Sequence, residues 1–137
     1  MGRTIRFVIQ TSYIIKPARV RVVIHDDVVG LQEETDTNDT GGLCQRYHID
    51  GRKLEDNPTL ATIHLHRQGL RTGVIAHEAT HAALHIFELG KLGPISTEES
   101  ANEEVFCYTV GDLISKIVQG LYKRRLLTAG KPVMRSK

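Results

Sequence analysis

The segment VIAHEATHAALHIF, residues 74–87, is apolar nearly all round except at its histidine and glutamate positions. This pattern predicts a helix that lies buried in the middle of the fold. Thr72 can cap the N-terminus and Gly90 offers a C-terminal stop, so we expect the helix to run from Thr72 to about Leu89. The rest of the chain is interpreted outward from this helix.

Three polar residues of the segment form a metal-binding pattern. His77 and His81 are four positions apart, so their imidazoles lie on one face of a helix and can reach a single Zn²⁺. Glu78 lies next to His77 at the rim of the same site, where it can accept a proton from a water at the metal. This HExxH arrangement predicts two ligands and a general base on one helical turn.

A catalytic zinc needs a third protein ligand and an open position. The acidic segment EESANEEVFCY, residues 98–108, is the natural source of that ligand. Glu104 lies one turn before Tyr108 and beside Val105 of an apolar stripe, so we expect it to join the histidine pair in binding one Zn²⁺ per chain. Glu103 is the alternative ligand, and Glu99 is a more distant one.

The residues before the central helix are typical of β structure. Strands are predicted within residues 4–15, 18–29, 43–49 and 59–67, which are rich in β-branched residues and bounded by turn signals. The polar segment between them, residues 30–42, is expected to be a loop. In the fourth strand, Thr62, His64 and His66 share one face, which we expect to point toward solvent.

The residues after the central helix predict a second long helix over residues 97–122. Ser96 and Glu99 make a capping box at its start. Its core-facing stripe consists of Ala101, Val105, Val110, Leu113, Ile114, Ile117 and Leu121. We therefore predict an α+β fold, with a small, mostly antiparallel N-terminal sheet followed by two long packed helices. Residues 1–127 form one domain, and residues 128–137 form a flexible basic tail.

Composition narrows the classes of function. A chain of 137 residues with 40% hydrophobic residues can build one real core. The net charge of +2 and the lack of a helix-turn-helix signature argue against a nucleic-acid partner. No apolar run is long enough to span a membrane and no signal peptide is recognisable, so a cytoplasmic location is expected. Cys44 and Cys107 are expected to be reduced.

The quoted motifs resemble the gluzincin group of zinc metallopeptidases, in which a glutamate on a second helix follows the HExxH helix. In the aminopeptidases of that group the glutamate lies in an "NEGFA"-like segment. Glu104-Val105-Phe106-Cys107 is similar to its Glu-x-Phe-small part, and Asn102-Glu103 is similar to its Asn-Glu part. From residue 63 to 113, HEATHAAL and EEVFCYTVGDL more closely resemble small zincin-like proteins of phages and prophages. The resemblance implies a minimal zincin-like fold.

The resemblance also implies an activity. A peptide or protein substrate would bind along the strand before the HExxH helix, residues 59–67, and Glu78 would act as general base in zinc-dependent hydrolysis of a peptide bond. Candidates for the residue that stabilises the transition state, or supports it from a second layer, are Tyr108, His85, His64 and His66. One alternative is a zincin-like module that keeps its metal but binds a partner without hydrolysis. The other alternative is a regulator that binds nucleic acid through its basic C-terminal residues.

Overall fold

The computed structural model describes residues 4–38, 41–48, 56–95, 101–128 and 131–132. Strands β1 (Thr4–Thr11) and β2 (Ala18–His25) form an antiparallel pair, with Phe7 opposite Val22. Strand β3 (Leu43–Arg46) pairs antiparallel with β4 (Thr59–His66), and β4 runs parallel to β2. The result is a four-stranded mixed sheet in the order β1-β2-β4-β3.

This order changes the expectation for the substrate cleft. The strand before the HExxH helix, β4, lies inside the sheet between β2 and β3. Its backbone groups are therefore already used in two ladders, and the expectation that it forms the cleft edge is wrong. The strand at that edge of the sheet is β3. Strand β4 is interior because it pairs with β3 on one side and with β2 on the other.

Helices α2 (Thr72–Leu89) and α3 (Asn102–Lys123) cover one face of the sheet. The predicted span of α2 is confirmed, with Gly90 at its C-cap, although the N-cap is Arg71 and no side chain caps that end. Leu113, Ile117 and Leu121 of α3 are buried as expected, whereas Ala101 is exposed. The predicted start of this helix and its capping box, residues 96–100, lie outside the described residues. The α+β fold class is confirmed.

The core between the sheet and these helices is almost entirely aliphatic. Alternate residues of the strands point into it, because the side chains of a strand alternate between its two faces. The large side chains that are fully buried in this core, from both strands and helices, include Ile24, Leu60, Ile63, Leu65, Ile75, Ile86, Leu113, Ile117 and Leu121. None of the helices in the described part of the chain combines the length and the apolar character that crossing a bilayer requires.

A third helix, α1 (Val28–Thr35), lies where the sequence predicted the end of the second strand, residues 28–29, and the first part of a loop, residues 30–42. The Asp27 side chain caps it by accepting a hydrogen bond of 2.9 Å from the Gly30 amide. Leu31 is fully buried, and Glu34 contacts His25 on the sheet face opposite to α2 and α3. Helix α1 therefore covers the second face, where we expected solvent, and His64 and His66 are buried at 4% and 7% exposure.

The end of the chain has two short strands, β5 (Leu127–Thr128) and β6 (Lys131–Pro132), which pair antiparallel. Three of these four residues belong to the segment that we expected to be a flexible tail. The remaining residues of that segment, 129–130 and 133–137, lie outside the described residues. Cys44 and Cys107 are both free thiols, as expected.

Candidate metal centres

The two histidines of the HExxH motif converge at the surface of α2. Their Nε2 atoms are 3.2 Å apart, and the two rings meet edge to face with centroids 4.8 Å apart. Two nitrogen ligands at about 2.0–2.1 Å from a tetrahedral zinc ion stand about 3.3 Å from each other. His77 is exposed and His81 is half-buried, so an ion could reach both nitrogens from solvent.

Glu78 completes this group, which we call the HExxH group (His77, Glu78 and His81). One carboxylate oxygen and the two histidine nitrogens all lie within 4.8 Å of one another. The side chain of Glu78 is buried, at 6% exposure, whereas the neighbouring His77 is exposed. Helical geometry explains the difference, because adjacent residues point in directions about 100° apart. The carboxylate therefore points inward from the histidine pair.

A cavity of about 310 Å³ opens between the HExxH group and the edge strand β3. Its remaining walls come from Gly42, Leu43, Cys44 and Arg46. Cys44 and Arg46 point toward α2 because β3 is in register with β4 at Cys44–Ile63, and Ile63 belongs to the helix-covered face. At Gly42 a side chain would be crowded, since an added Cβ would lie 3.0 Å from the backbone oxygen of His64 and 3.2 Å from Cγ of Glu78.

Two groups of the cavity have shifted protonation equilibria. Partial burial, followed by the charges of His77 and Arg46, lowers the pKa of His81. A lowered pKa favours the neutral imidazole, which is the form that binds metal. Burial, together with the Glu78 carboxylate, raises the pKa of the Cys44 thiol to about 12. Arg46 and Cys44 are parts of the site that the sequence analysis did not identify.

The structure does not bring the expected third ligands to the histidine pair. Glu103 and Glu104 are both exposed at the start of α3. Within the described ranges, neither belongs to a group of three or more possible ligand side chains. Glu99 lies outside those ranges. The two glutamates differ in direction: Phe106, three residues after Glu103, contacts Phe87 of α2, with ring centroids 6.2 Å apart.

The expected transition-state residues are also distributed elsewhere. Tyr108 is exposed and stacks on Tyr13 in the β1–β2 connection, with centroids 5.5 Å apart. His85 is buried, and its Nε2 donates a 2.8 Å hydrogen bond to the carbonyl oxygen of Tyr47. It therefore ties α2 to the residues that follow β3. His64 and His66 lie on the sheet face away from α2.

A second group of possible ligands lies on that other face, and the sequence analysis did not identify it. This group, the β2–α1–β4 group, consists of His25, Glu34 and His64. Burial lowers the pKa of both histidines, that of His64 to about 4 with a further contribution from His25. The alternation of β4 placed His64 on one face, but only the parallel pairing of β2 with β4 brings His25 next to it.

Comparisons of the chain with protein-family models, with curated proteins and with solved structures find no match. The function has to be inferred from the residues themselves. The HExxH group and the β2–α1–β4 group are two sets of side chains that could each hold a metal ion.

Proposed function

We propose that the protein is a zinc-dependent peptidase whose catalytic centre is the HExxH group. The observation that carries this proposal is the 3.2 Å separation of the two Nε2 atoms beside a buried carboxylate, at the mouth of a cavity. Two imidazoles and a carboxylate are typical zinc donors. An HExxH group with an adjoining cleft is typical of peptidases that use zinc.

The third ligand in this proposal is one of the two glutamates at the start of α3, Glu104 as expected from the sequence or Glu103 as its alternative, and neither lies with the histidine pair in the structure. Glu103 lies three positions before Phe106, which contacts α2, and residues three apart occupy neighbouring parts of a helix surface. Glu104 lies four positions before Tyr108, whose ring packs on Tyr13 at the far end of β1. Phe87 lies six residues beyond His81, so the Phe106–Phe87 contact does not decide which glutamate reaches the histidine pair.

Glu78 is the general base. Zinc supplies, when bound, Lewis acidity that activates water and polarises a carbonyl group. The Glu78 carboxylate takes a proton from the attacking water and returns it to the amine nitrogen of the leaving group. Its burial keeps it out of bulk water, and its position on the inner side of the histidine pair directs it into the cavity.

The edge strand β3 is the proposed substrate-binding element. Its outer edge faces away from β4, and an extended peptide can add to such an edge through backbone hydrogen bonds. Arg46 lies on the same cavity wall, where its guanidinium can stabilise the negative charge that develops on the scissile carbonyl. A cavity of about 310 Å³ suits a narrow range of peptides.

The test is cleavage of a mixture of random-sequence peptides by the zinc-loaded chain, followed by mass spectrometry. Glu78→Gln should keep its zinc and lose hydrolysis by a factor of at least about 100, since general acid–base catalysis contributes 10²–10⁴-fold. Glu88→Gln, an exposed glutamate of the same helix, is the matched control and should leave the rate unchanged. Absence of cleavage by the zinc-loaded wild type, or full activity of Glu78→Gln, contradicts the proposal.

A second candidate is a metal-binding module that binds a partner without hydrolysis. It is favoured by one observation: among the described residues, the carboxylate that lies with the two histidines is that of Glu78 itself. If Glu78 is a ligand, Glu78→Gln weakens zinc binding and Glu103→Gln does not. If Glu78 is the base, Glu78→Gln keeps its zinc affinity, and Glu103→Gln or Glu104→Gln weakens zinc binding. Zinc affinities of these three variants therefore separate the candidates.

A further inference from the structure

The β2–α1–β4 group is a cluster of polar side chains beneath helix α1, on the face of the sheet away from the HExxH group. His25 Nε2 lies 2.9 Å from His64 Nδ1 and 3.2 Å from Glu34 Oε2. The rings of His25 and His64 stack with centroids 5.2 Å apart. Both histidines are almost completely buried, at 1% and 4% exposure.

The hydrogen bonds around the group direct lone pairs toward its centre. His64 Nε2 lies 2.8 Å from Oε1 of Gln45, which is an amide oxygen and can only accept. Nε2 therefore carries the proton of a neutral His64, and Nδ1 presents a lone pair to His25. His25 Nε2 thus lies between two acceptors, Nδ1 of His64 and the carboxylate of Glu34. One N–H cannot make a well-aligned hydrogen bond to both.

The two separations from His25 Nε2, 2.9 Å to His64 and 3.2 Å to Glu34, match those between ligands of one metal ion. Donor atoms at about 2.0–2.2 Å from a four- to six-coordinate ion stand about 2.8–3.6 Å apart. Gln45 hydrogen-bonds to His64 from outside the three ligands. At many metal sites such a partner fixes the tautomer of the ligating histidine. Arg6 donates a 2.9 Å hydrogen bond to Oε1 of Glu34, which leaves Oε2 directed at the histidines.

We propose that His25, His64 and Glu34 bind a second divalent transition-metal ion of the zinc type, which ties α1 to strands β2 and β4. This site extends the expectation of one Zn²⁺ per chain. Two imidazoles and one carboxylate suit zinc and its neighbours better than calcium or magnesium, which take oxygen ligands. The ion enters beside Glu34, because 41% of the Glu34 side chain is exposed to solvent.

The experiment measures zinc stoichiometry by equilibrium dialysis and elemental analysis after removal of metal with a chelator. Wild type should bind two equivalents, and the His77→Ala/His81→Ala variant should bind one. In that double-variant background, Glu34→Gln should weaken the remaining site at least ten-fold, and Gln45→Leu about ten-fold. Glu33→Gln, its exposed neighbour on α1, is the matched control and should leave the affinity unchanged.

Far-UV circular dichroism establishes that each variant is folded, and Glu34 is used because its partial exposure makes its replacement mild. The proposal is overturned if the folded double variant takes up no zinc, or if its zinc affinity is the same with and without Glu34→Gln. Failure of the peptidase proposal leaves this result untouched, because the double variant lacks the HExxH ligands altogether.

Discussion

Glu78 is a buried carboxylate on a helix whose other buried residues are apolar except for His85. Burial of an ionised group without compensating partners costs several kcal/mol or more, so such a residue is retained only where it is paired or functional. Glu78 lies beside two histidines, with Arg46 on the facing wall of the same cavity. Glu88, nearly three turns further along the helix, is exposed and needs no such surroundings.

The cavity geometry suggests a role for Arg46 that the sequence did not suggest. Because its guanidinium lies across the cavity from Glu78, Arg46→Ala should lower kcat/KM for peptide cleavage by about 10- to 100-fold, with zinc content unchanged. Arg46→Lys keeps the charge but not the planar fork, and should recover part of the rate. Steady-state kinetics on a cleaved peptide, with zinc analysis of each variant, make the measurement.

Arg21→Ala is the control for this prediction, because Arg21 is an exposed arginine of β2 outside the cavity. Its kcat/KM should equal that of wild type. An Arg46→Ala variant that cleaves at the wild-type rate, or one that loses its zinc, would show that Arg46 does not act on the substrate.

At the scale of elements, α1 and β3 decide how both candidate centres are built. Most of helix α1 was predicted as a loop because residues 30–42 are polar and short of apolar residues, and the helix buries only Leu31. Its stability comes from the Asp27 cap and from contacts with the sheet, and short helices depend on such tertiary packing. Strand β3 was predicted, but its place at the edge beside the HExxH group depends on pairing with β4.

The packing of α3 on β1 gives a prediction about stability. A Cβ at Gly120 would lie 2.5 Å from Cε2 of Phe7, a buried ring that Arg124 also covers at 4.1 Å. Gly120→Ala should therefore lower the free energy of unfolding by about 1–3 kcal/mol, the usual cost of overpacking. Gly111→Ala, in the same helix with no atom within 4 Å of the added Cβ, should raise it by about 0.5–1 kcal/mol.

Urea denaturation of the two glycine variants, in the same chelator-containing buffer, tests this contrast. Equal effects of the same sign at both positions would mean that α3 does not pack on Phe7 as described. The control is internal, because both substitutions make the same chemical change within one helix.

At the scale of the whole molecule, the sheet separates the two candidate metal centres. Ile63 and Leu65 of β4 face α2, and His64 between them faces α1. Layers of this kind pack about 10 Å apart, and sites that far apart with no shared partners contribute additively to stability. The two centres should therefore stabilise the fold independently.

Zinc should consequently raise the free energy of unfolding by two equal contributions, one from each site. At free zinc 100-fold above the dissociation constant, one site adds about 2.7 kcal/mol, so wild type should gain about 5 kcal/mol and His77→Ala/His81→Ala about half. Adding Glu34→Gln to that variant should remove most of the remainder. Thermal and urea unfolding with and without zinc measure these gains. A gain that is the same in all three proteins would place the zinc elsewhere.

The sequence alone determined the features that depend on local spacing. The nearly all-apolar segment and its Thr72–Gly90 boundaries defined α2, and the four-residue spacing of His77 and His81 placed their nitrogens together, because a helix fixes such distances by itself. Tertiary structure alone decided which segments meet. The pairing order put Arg46 and Cys44 beside Glu78 and brought His25 to His64. Those contacts join residues from separate elements, so they are set by how strands pair and helices pack, which no local pattern encodes.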